Sequence, residues 1–537
     1  MVKKKKSIIR ITYTALLFII FLTSCSPKTY NYPADSYRTY YEVFLRSFYD
    51  SNNDGIGDIS GLIGKLDYIG GSKGGNNSLG CSGIWLMPIM PSPSYHKYDV
   101  TDYYNIDPIY GTMEDFNRLI KESKEKNISL IIDLVLNHTS IMHPWFQSAA
   151  KSIGIPPCGN EVCSVKELCR EHNPYCGYYN FSSESKKNYV KTPLYSDWYY
   201  ECAFDKNMPD LNLDNPALRK DITDIMKFWL DKGVSGFRLD ATTHYYDQNT
   251  SKNVEFLSWL NKEAKKYNPE VYIVGEAWTS NNVVLDMYES KIQSFFNFDF
   301  AKNDGLFVSA ARSGMGTGVA EKLADQQKEA ASKNEAAIDA LFLSNHDQAR
   351  SAGTLSNNES FMKIAAALYI LAPGNSFIYY GEEIGTLGSG KDENKRLAML
   401  WSNSNKTGIP HNPSNADYSK KPEFGVEEQL KDKSSLLRHY MKLISIKNNY
   451  PAIARGVITP IESKEEIVAF SVLYKEEKLG IFHNVSDKEI IVEIPEGYSK
   501  VKLLESVASE GKKVAFKNKT VKMPPYSSAI LDLKNEN

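Results

Sequence analysis

The feature that most limits the fold is a repeated alternation of short apolar runs with longer amphipathic segments between residues 40 and 440. The amphipathic segments carry apolar residues three and four positions apart, as a helix with one buried face requires. Eight strands, each followed by room for a helix, predict an α/β fold of the (β/α)8 TIM barrel type, and an open doubly wound sheet is the alternative. The predicted strands are YYEVFLRSF (40–48), GIWLMPI (83–89), SLIIDLVL (129–136), GFRLDA (236–241), VYIVGEAW (271–278), SFFNFDF (294–300), ALFLSNHD (340–347) and SFIYYGEE (376–383).

Two regions depart from this alternation. About a hundred residues separate the third and fourth strands, and a connection of that length predicts a small inserted domain. After about residue 450 alternating strands with turns predict an antiparallel β domain, which would form a C-terminal β-sandwich. The predicted organisation is a signal segment 1–24, a tether 25–35, a barrel 36–138 and 208–445, an inserted domain 139–207 and a C-terminal β domain 446–537.

The first 24 residues are typical of a bacterial lipoprotein signal peptide. Four lysines at positions 3–6 precede the apolar run ITYTALLFIIFL, which is too short for a membrane span. The tetrapeptide LTSC at 22–25 resembles the bacterial lipobox, so Cys25 is predicted to carry the lipid; an ordinary secretory signal with an incidental cysteine is the alternative. A lipid anchor predicts membrane attachment in the bacterial cell envelope, facing outside the cytoplasm.

The charge balance argues against nucleic acid as a partner. The whole chain has a net charge of −2, and loss of residues 1–24 with their five positive charges would bring it to −7. A mildly acidic protein with no basic block lacks the electrostatic footprint of a nucleic-acid binder. We expect a monomer.

Six cysteines remain when Cys25 is set aside, and four of them fall within 19 residues. Outside the cytoplasm an even number predicts disulfides, although fifteen pairings are open. Zinc is the competing interpretation, which the absence of paired C-x-x-C motifs disfavours, with His172 the one nearby imidazole. The six are Cys81, Cys158, Cys163, Cys169, Cys176 and Cys202.

Carboxylates recur at the ends of the apolar strands. Asp240, Glu276 and Asp347 close the fourth, fifth and seventh strands, and in a barrel those ends meet at one face. One such residue is usually solvated or capping, but three together fit glycosidic bond cleavage, which needs an attacking carboxylate and a protonated carboxyl. Arg238, on the same side of its strand as Asp240, should keep that residue ionised. Glu276 has no adjacent cation in the sequence and should keep a raised pKa as the acid.

Seven motifs in order make the chain similar to the α-amylase family of glycoside hydrolases, family 13, from about residue 36 to the C-terminus. The first four resemble the conserved regions of that family and the last three its accessory regions. They are DLVLNH (133–138), GFRLDATTH (236–244), VGEAW (274–278), FLSNHD (342–347), MPDLN (208–212), GIWLMPIMPS (83–92) and YYGEEIG (379–385).

The resemblance implies roles for individual residues. Asp240 would be the nucleophile, Glu276 the acid/base and Asp347 the stabiliser of the transition state in a retaining hydrolase. Four further residues would contact the sugar in the reacting subsite, one of them, Tyr98, by stacking. The other three are Arg238, His138 and His346.

The substrate is less defined than the family. Thr243 stands where many α-amylases have Lys, and MPDLN lies between the versions of α-amylases and oligo-1,6-glucosidases. We expect an α-amylase acting on α-1,4 bonds of starch-like glucans and maltooligosaccharides. The alternatives are an exo-acting oligosaccharide α-glucosidase or oligo-1,6-glucosidase, a transglycosylase, and a non-catalytic sugar-binding lipoprotein, which the three retained carboxylates disfavour.

The stretch DSNNDGIGD predicts a structural calcium ion in the first strand-to-helix loop. Oxygen-bearing side chains recur at alternate positions, although a calcium sensor is excluded because Gly61 stands where its bidentate Glu is required. An ion-free turn is the alternative. The predicted ligands are Asp50, Asn52, Asp54, the carbonyl of Ile56 and Asp58. Family resemblance implies a second calcium ion, held by Asn137, Asp210 and the carbonyl of His244.

Overall fold

A computed structural model describes residues 35–70, 75–159, 163–195, 197–496, 498–508 and 512–535. No helix within these ranges is both long and apolar enough to cross a lipid bilayer. The strands in chain order are β1 Thr39–Val43, β2 Gly83–Leu86, β3 Ser129–Leu134, β4 Phe181–Ser182, β5 Tyr189–Lys191, β6 Tyr199–Glu201, β7 Gly236–Leu239, β8 Tyr272–Gly275, β9 Ser294–Phe295, β10 Ala340–Leu341, β11 Asn375–Tyr379, β12 Val457–Pro460, β13 Ile467–Tyr474, β14 Glu477–Asn484, β15 Ile490–Glu493, β16 Tyr498–Ala508, β17 Ala515–Lys517, β18 Thr520–Met523 and β19 Ser527–Asn535.

The helices fill the connections between these strands. Short 3-10 turns add Leu45–Ser47, Lys166–Leu168, Pro174–Gly177, Tyr288–Ser290 and Glu382–Ile384. The α-helices are α1 Ile59–Gly64, α2 Leu66–Ile69, α3 Met113–Glu125, α4 Pro144–Ser152, α5 Pro216–Lys232, α6 Thr250–Tyr267, α7 Asn281–Met287, α8 Leu306–Ser313, α9 Val319–Lys333, α10 Ser351–Thr354, α11 Glu359–Ile370, α12 Asp392–Lys395, α13 Val426–Gln429, α14 Leu436–Asn449 and α15 Pro451–Arg455.

Eight parallel strands form the central sheet, in the order β10-β11-β1-β2-β3-β7-β8-β9. A parallel bridge between Phe296 and Ala340 joins the two edge strands and closes the sheet into a barrel. Backbone hydrogen bonds from Ile338 N to Gln293 O (2.8 Å) and from Asn297 N to Ala340 O (3.2 Å) cross the same seam. The predicted (β/α)8 barrel is therefore confirmed, and the open doubly wound sheet is excluded.

Alternation along each strand separates the barrel interior from its helical coat. In β1, Tyr40 packs inside the barrel, where it stacks on Phe377 with ring centroids 4.8 Å apart, while Tyr41 faces the surrounding helices. Trp85 and Phe296 also pack inside, with centroids 5.3 Å apart. Aromatic rings fill the lower part of the interior, so only its upper end, where the strands finish, can hold polar groups.

The helix α5 illustrates how local sequence signals fix the coat. Asn215 caps its first turn by accepting hydrogen bonds from two backbone N–H groups, and Pro216 occupies the first helical position. Gly233 ends it in the left-handed conformation, with φ of 102°, which a residue with a side chain adopts at a cost. Buried apolar residues at helical spacing, from Leu218 to Trp229, each stabilise the fold by about 1.5–3 kcal/mol.

The inserted segment between β3 and β7 contains α4 and a three-stranded sheet in the order β4-β6-β5. None of the six cysteines in the described ranges forms a disulfide, so the predicted disulfide framework is wrong for this structure. Cys81 is buried in the barrel wall, away from the insertion. Cys158, Cys163 and Cys169 gather around His172 rather than in bonded pairs.

The C-terminal region consists of two antiparallel sheets. One has the order β12-β13-β14-β19-β16 and the other the order β15-β18-β17. Apolar residues from both sheets, among them Phe482, Val521 and Leu531, form one buried cluster between them. The predicted boundary at residues 445/446 lies inside α14, which continues to Asn449 before this region begins.

Candidate active site

Strand register brings charged residues together at the upper end of the barrel. Asp133 of β3 and Arg238 of β7 are directly paired across neighbouring strands. Asp240 follows β7 and Glu276 follows β8, and both occupy inward positions. Asp347 follows β10 in a turn. The three predicted carboxylates therefore meet at one face, as the barrel topology requires.

Arg238 is the centre of this cluster and is fully buried. Its Nη1 donates to Asp240 Oδ1 (2.7 Å) and to Asp133 Oδ1 (2.9 Å), while its Nη2 donates to Glu276 Oε2 (2.6 Å). A planar guanidinium can satisfy three carboxylates in this way, which a lysine ammonium cannot do with the same geometry. Arg238 thus holds Asp240 and Glu276 on adjacent nitrogens of one group.

Glu276 has a buried carboxyl group with both a cation and carboxylates close to it, and these shift its pKa in opposite directions. Burial raises its pKa, Arg238 lowers it, and the carboxylates of Asp240 and Asp347 raise it again, which leaves the pKa of Glu276 at about 7. The raised pKa agrees with the expectation from sequence. The reason given for it was wrong, because Arg238 contacts Glu276 directly from the neighbouring strand.

Asp347 lies between two cations at the other side of the site. His346 Nε2 contacts its Oδ2 at 3.0 Å, and Arg396 Nη2 donates to its Oδ1 at 2.7 Å. Burial alone would raise the pKa of Asp347, but His346 and Arg396 hold it well below its usual range. Burial lowers the pKa of His346, whereas Asp347 and Glu42 raise it to about 9. His346 is therefore cationic and Asp347 ionised near neutral pH.

Tyr98 and His138 lie at the cleft above these charges. The Tyr98 ring stacks on His346, with centroids 5.5 Å apart, and its hydroxyl donates to Asp133 Oδ2 (3.0 Å). His138 is buried, and within the described ranges its Nε2 has no hydrogen-bond partner. Arg238 and His346 lie beneath the carboxylates that they hold, and their predicted contact with sugar stays a prediction.

The cleft has a volume of about 400 Å³ and contains two exposed aromatic side chains. Trp278 is 50% exposed and stacks on Phe298 with centroids 4.8 Å apart, so Phe298 fixes the orientation of the Trp278 ring. Phe204, from the inserted segment, is 48% exposed on the same cleft. Flat, exposed apolar rings beside a group of carboxylates suit the ring faces of sugars.

Sequence analysis missed two buried carboxylates beneath the site. Glu42 Oε1 lies 2.6 Å from His346 Nδ1, and Asp133 contacts Arg238. Burial raises the pKa of Asp133, which Arg238 lowers and Asp240 raises, to about 6. Both residues occupy inward positions within otherwise apolar strands. An acidic residue at such a position was the available signal, because it is costly there without a buried partner.

In the loop after β1, successive side-chain oxygens accept backbone N–H groups of the same loop. Asp50 Oδ2 accepts the N–H of Gly55 (2.8 Å), Asn52 Oδ1 that of Asp54 (2.9 Å), and Asp54 Oδ1 that of Ile56 (2.8 Å). Gly55 has a φ of +90°, which permits the sharp turn that a calcium loop needs at this point. The side-chain oxygens of this loop, together with the turn at Gly55, suit the coordination of a hard cation.

Asp58, the last of the predicted loop ligands, also caps a helix. Its Oδ1 accepts the N–H of Gly61 (2.7 Å) at the start of α1, and its Oδ2 accepts that of Ser51 (2.8 Å). The carboxylate therefore links the loop to the helix with or without an ion.

The residues of the second predicted calcium site line one cavity of about 300 Å³ at the junction of insertion and barrel. Asn137 Nδ2 donates to Asp210 Oδ1 (3.1 Å), and Asp210 Oδ2 accepts the N–H of Ala203 (2.9 Å). Burial raises the pKa of Asp210 to about 7. His244 and Glu201 line the same cavity, so its oxygen-rich lining also fits a hard cation. Cys25 and the predicted signal lie outside the described residues.

With this geometry established, comparison with known proteins decides the family. Residues 42–456 match the model of the α-amylase catalytic domain, and residues 467–530 match that of the α-amylase SusG C-terminal domain. The chain belongs to the α-amylase family of glycoside hydrolases. It is an enzyme of that family.

Relatives within the family differ in their named activities. The chain is 38% identical to Alpha-amylase 3 of Dictyoglomus thermophilum, covering 88% of this chain and 89% of that protein. It is 29% identical to an Oligo-1,6-glucosidase of Parageobacillus thermoglucosidasius, covering 85% and 91%. Among solved structures, Eubacterium rectale Amy13B superposes with a TM-score of 0.88 at 40% identity, covering 95% of this chain and 98% of that one.

Proposed function

We propose that this family member is a retaining α-amylase, which cleaves α-1,4 bonds of starch-like glucans and maltooligosaccharides. The observation that carries the proposal is the shared guanidinium of Arg238, which contacts Asp240 and Glu276 on adjacent nitrogens. Two carboxyl groups so held are close together, as a nucleophile and an acid must be in double displacement. Their surroundings differ, and that difference assigns their roles.

In the first step a carboxylate oxygen of Asp240 attacks the anomeric carbon. The bond from that carbon to the glycosidic oxygen breaks, and the Glu276 carboxyl gives its proton to the leaving oxygen. A pKa of about 7 keeps enough of Glu276 protonated at neutral pH for this transfer. The product of the step is a glycosyl ester on Asp240 and a sugar with a free hydroxyl.

In the second step water cleaves the ester. Glu276, now ionised, takes a proton from the water as its oxygen attacks the anomeric carbon, and Asp240 leaves as the carboxylate. Asp347, ionised because of His346 and Arg396, faces positive charge as it develops on the sugar in both steps. The anomeric configuration is retained because the carbon is inverted twice.

Preference for α-1,4 bonds in long glucans is supported by the cleft and by the relatives. Trp278 and Phe204 offer two exposed aromatic side chains in the cleft that holds the carboxylates, which suits a chain that extends beyond one sugar. The α-amylase of D. thermophilum is more similar to this chain than the oligo-1,6-glucosidase of P. thermoglucosidasius. The latter similarity keeps short α-1,6-linked sugars as the second candidate substrate.

Replacement of Glu276 by Gln tests the mechanism. We expect the isosteric variant to fold, to lose at least about 1000-fold in kcat on starch, and to lose the basic limb of the pH profile. Glu270→Gln is a matched control, since Glu270 is exposed just before β8, at its opposite end. Starch hydrolysis by a folded Glu276→Gln protein at the rate of the control would refute the assignment.

Product analysis tests the substrate. Internal cuts in starch, with maltooligosaccharides released in the α configuration by NMR, are the expected result. Glucose released only from isomaltose and other short sugars would favour an oligo-1,6-glucosidase, and sugar transfer at high maltose would favour a transglycosylase.

We also propose that Ca²⁺ binds the loop of Asp50, Asn52, Asp54, Ile56 and Asp58, and that a second ion binds in the cavity of Asn137, Asp210 and His244. When bound, such ions would hold the two loops and take no part in bond cleavage. Lipidation of Cys25 and attachment to the bacterial envelope remain proposals from sequence, which mass spectrometry of the membrane-extracted protein would test.

A further inference from the structure

Four metal-ligating side chains meet in the inserted segment, outside the cleft. The ligand atoms of Cys158, Cys163, Cys169 and His172 all lie within 4.8 Å of one another. His172 Nδ1 is 3.4 Å from Cys158 Sγ and 3.3 Å from Cys169 Sγ. Four such groups, drawn from 15 residues of chain, form one compact cluster.

The two S to N distances agree with those of a tetrahedral metal site. Zinc binds thiolate at about 2.3 Å and imidazole nitrogen at about 2.0–2.1 Å, so the ligand atoms of a tetrahedron lie about 3.5 Å (S to N) and 3.8 Å (S to S) apart. The two measured S to N distances are within about 0.3 Å of that value. We propose that Cys158, Cys163, Cys169 and His172 bind one Zn²⁺ ion in a closed structural site.

The ligand set selects zinc among common metals. Three thiolates and one imidazole are soft and borderline donors, whereas Ca²⁺ and Mg²⁺ require oxygen. Iron–sulfur clusters are usually held by four cysteines, and this site offers three. With all four positions filled by protein, the ion has no open position for water or substrate. Its role is therefore to hold the fold.

Neighbouring groups orient the ligands from outside. The Cys169 carbonyl accepts the backbone N–H groups of His172 (3.1 Å) and Asn173 (2.8 Å), a turn that fixes Cys169 and His172 relative to each other. Asn173, next to His172, donates through Nδ2 to Ser152 Oγ (2.8 Å), which ties this half of the site to α4.

The other half of the site depends on the ion. Between Gly154 and Val165, the described residues form no helix or strand. Cys158 is exposed, and its neighbour Gly159 donates to the Glu171 carboxylate (3.1 Å). A segment with so little buried apolar surface gains its order from metal coordination, as small zinc domains do. Zinc would join the loop around Cys158 and Cys163 to the part of the insertion already fixed on α4.

The sequence spacing of these ligands is unusual for zinc and by itself favours disulfides. The ligands follow the pattern C-x4-C-x5-C-x2-H, in which only the last pair, Cys169 and His172, has a short spacing. Convergence of the other two cysteines depends on the path of the loop, which spacing alone does not give.

The test begins with metal content. Protein purified without chelators or added reductant should contain one zinc per chain by elemental analysis, and Co²⁺ in its place should give the intense visible bands of a tetrahedral thiolate site. Cys158→Ser removes an exposed ligand without disturbing a core, and should weaken Zn²⁺ binding by more than about 100-fold, beyond what loss of an outer-shell contact costs. His172→Asn should do the same.

Cys176→Ser is the matched control. Cys176 lies in the same segment, with its sulfur 3.8 Å from the Ala149 carbonyl and outside the cluster, so this variant should keep one zinc. Zinc removal should also open residues 155–159 and 163–170 to protease while the far-UV spectrum of the barrel stays unchanged. The proposal is overturned by a disulfide among Cys158, Cys163 and Cys169 in protein isolated without reductant, by iron in place of zinc, or by equal zinc content in Cys158→Ser and wild type.

Discussion

Replacement of Arg238 by Lys gives the sharpest test of the charge cluster. The guanidinium contacts Asp133 and Asp240 through Nη1 and Glu276 through Nη2. The single ammonium of lysine cannot reproduce that fork, and we expect it to stay with Asp133 and Asp240, the partners of Nη1. Glu276 would then lose its one direct cation while remaining buried.

The size of the effect follows from the lost contact. A hydrogen bond between charged groups contributes about 1.5–3 kcal/mol, and one pKa unit corresponds to about 1.36 kcal/mol. Because Arg238 lowers the pKa of Glu276, its loss should raise that pKa from about 7 by about 1–2 units. The acid would then stay protonated to higher pH, so the basic limb of the kcat/KM profile should move upwards. Activity at the optimum should fall about 100-fold, because Asp240 would shift to keep its contact with the shorter lysine side chain.

The assay is the pH dependence of kcat/KM on a soluble maltooligosaccharide from pH 5 to 10. Arg350→Lys is the control: Arg350 is equally buried, but it donates to the backbone carbonyls of Lys395 and Tyr380 rather than to carboxylates. Both variants should lose stability, and only Arg238→Lys should move the basic limb. A folded Arg238→Lys protein with its limb unmoved, or moved to lower pH, would refute the reasoning.

Three further predictions concern the cleft, the loop and the buried histidine. Trp278→Ala should raise KM for maltooligosaccharides about 10-fold, because about 1.4 kcal/mol of ring contact is lost. Phe424 is equally exposed but lies outside the cleft, so Phe424→Ala should leave KM unchanged. Equal KM values in both variants would argue against stacking. Ca²⁺ at 100 times its dissociation constant should stabilise metal-free protein by about 2.7 kcal/mol in thermal melts. Asp54→Ala should reduce this stabilisation, whereas replacement of the exposed Asp304 by Ala should leave it unchanged. A melting temperature that does not change when Ca²⁺ is added would count against the ion. His346 is stabilised as a cation, since burial lowers its pKa but two adjacent carboxylates raise it from about 6.5 to about 9. Its contribution is complete below about pH 6.5 and is lost as pH rises to about 9, so in urea unfolding the stability gap between wild type and His346→Gln should shrink by about 3 kcal/mol over that window; a constant gap would contradict the assigned charge.

The barrel was predictable because alternation in sequence maps directly onto its two faces. Each predicted strand exists, but the observed strands are shorter at their C-terminal ends, most of all β9 and β10 with two residues each. The apolar runs continue past the sheet there because residues such as Phe298 and Phe342 still pack inside the barrel after the ladder ends. Hydrophobicity therefore marked the core, and the hydrogen bonds that define a strand stop earlier.

The carboxylates were predictable from their positions, whereas their partners were not. Contact between Arg238 and Glu276 depends on the pairing of β7 with β8 in the sheet and on the Arg238 side chain, which reaches across the interior. Nothing in the spacing of 38 residues between them indicates that contact. The same holds for Glu42 and His346, which come from strands almost at opposite ends of the barrel sequence.

The seam between β9 and β10 has a consequence for motion in the enzyme. One bridge and a few backbone hydrogen bonds close it, whereas β1, for example, has four paired positions on each side. Amide hydrogens along the seam should therefore exchange with solvent sooner than those of β1 or β3. Glu276 is attached on one side of this seam and Asp347 on the other. Transient opening of the barrel at this seam would thus alter the distance between Glu276 and Asp347. A glucan bound across both residues would oppose this opening and slow hydrogen exchange along the seam.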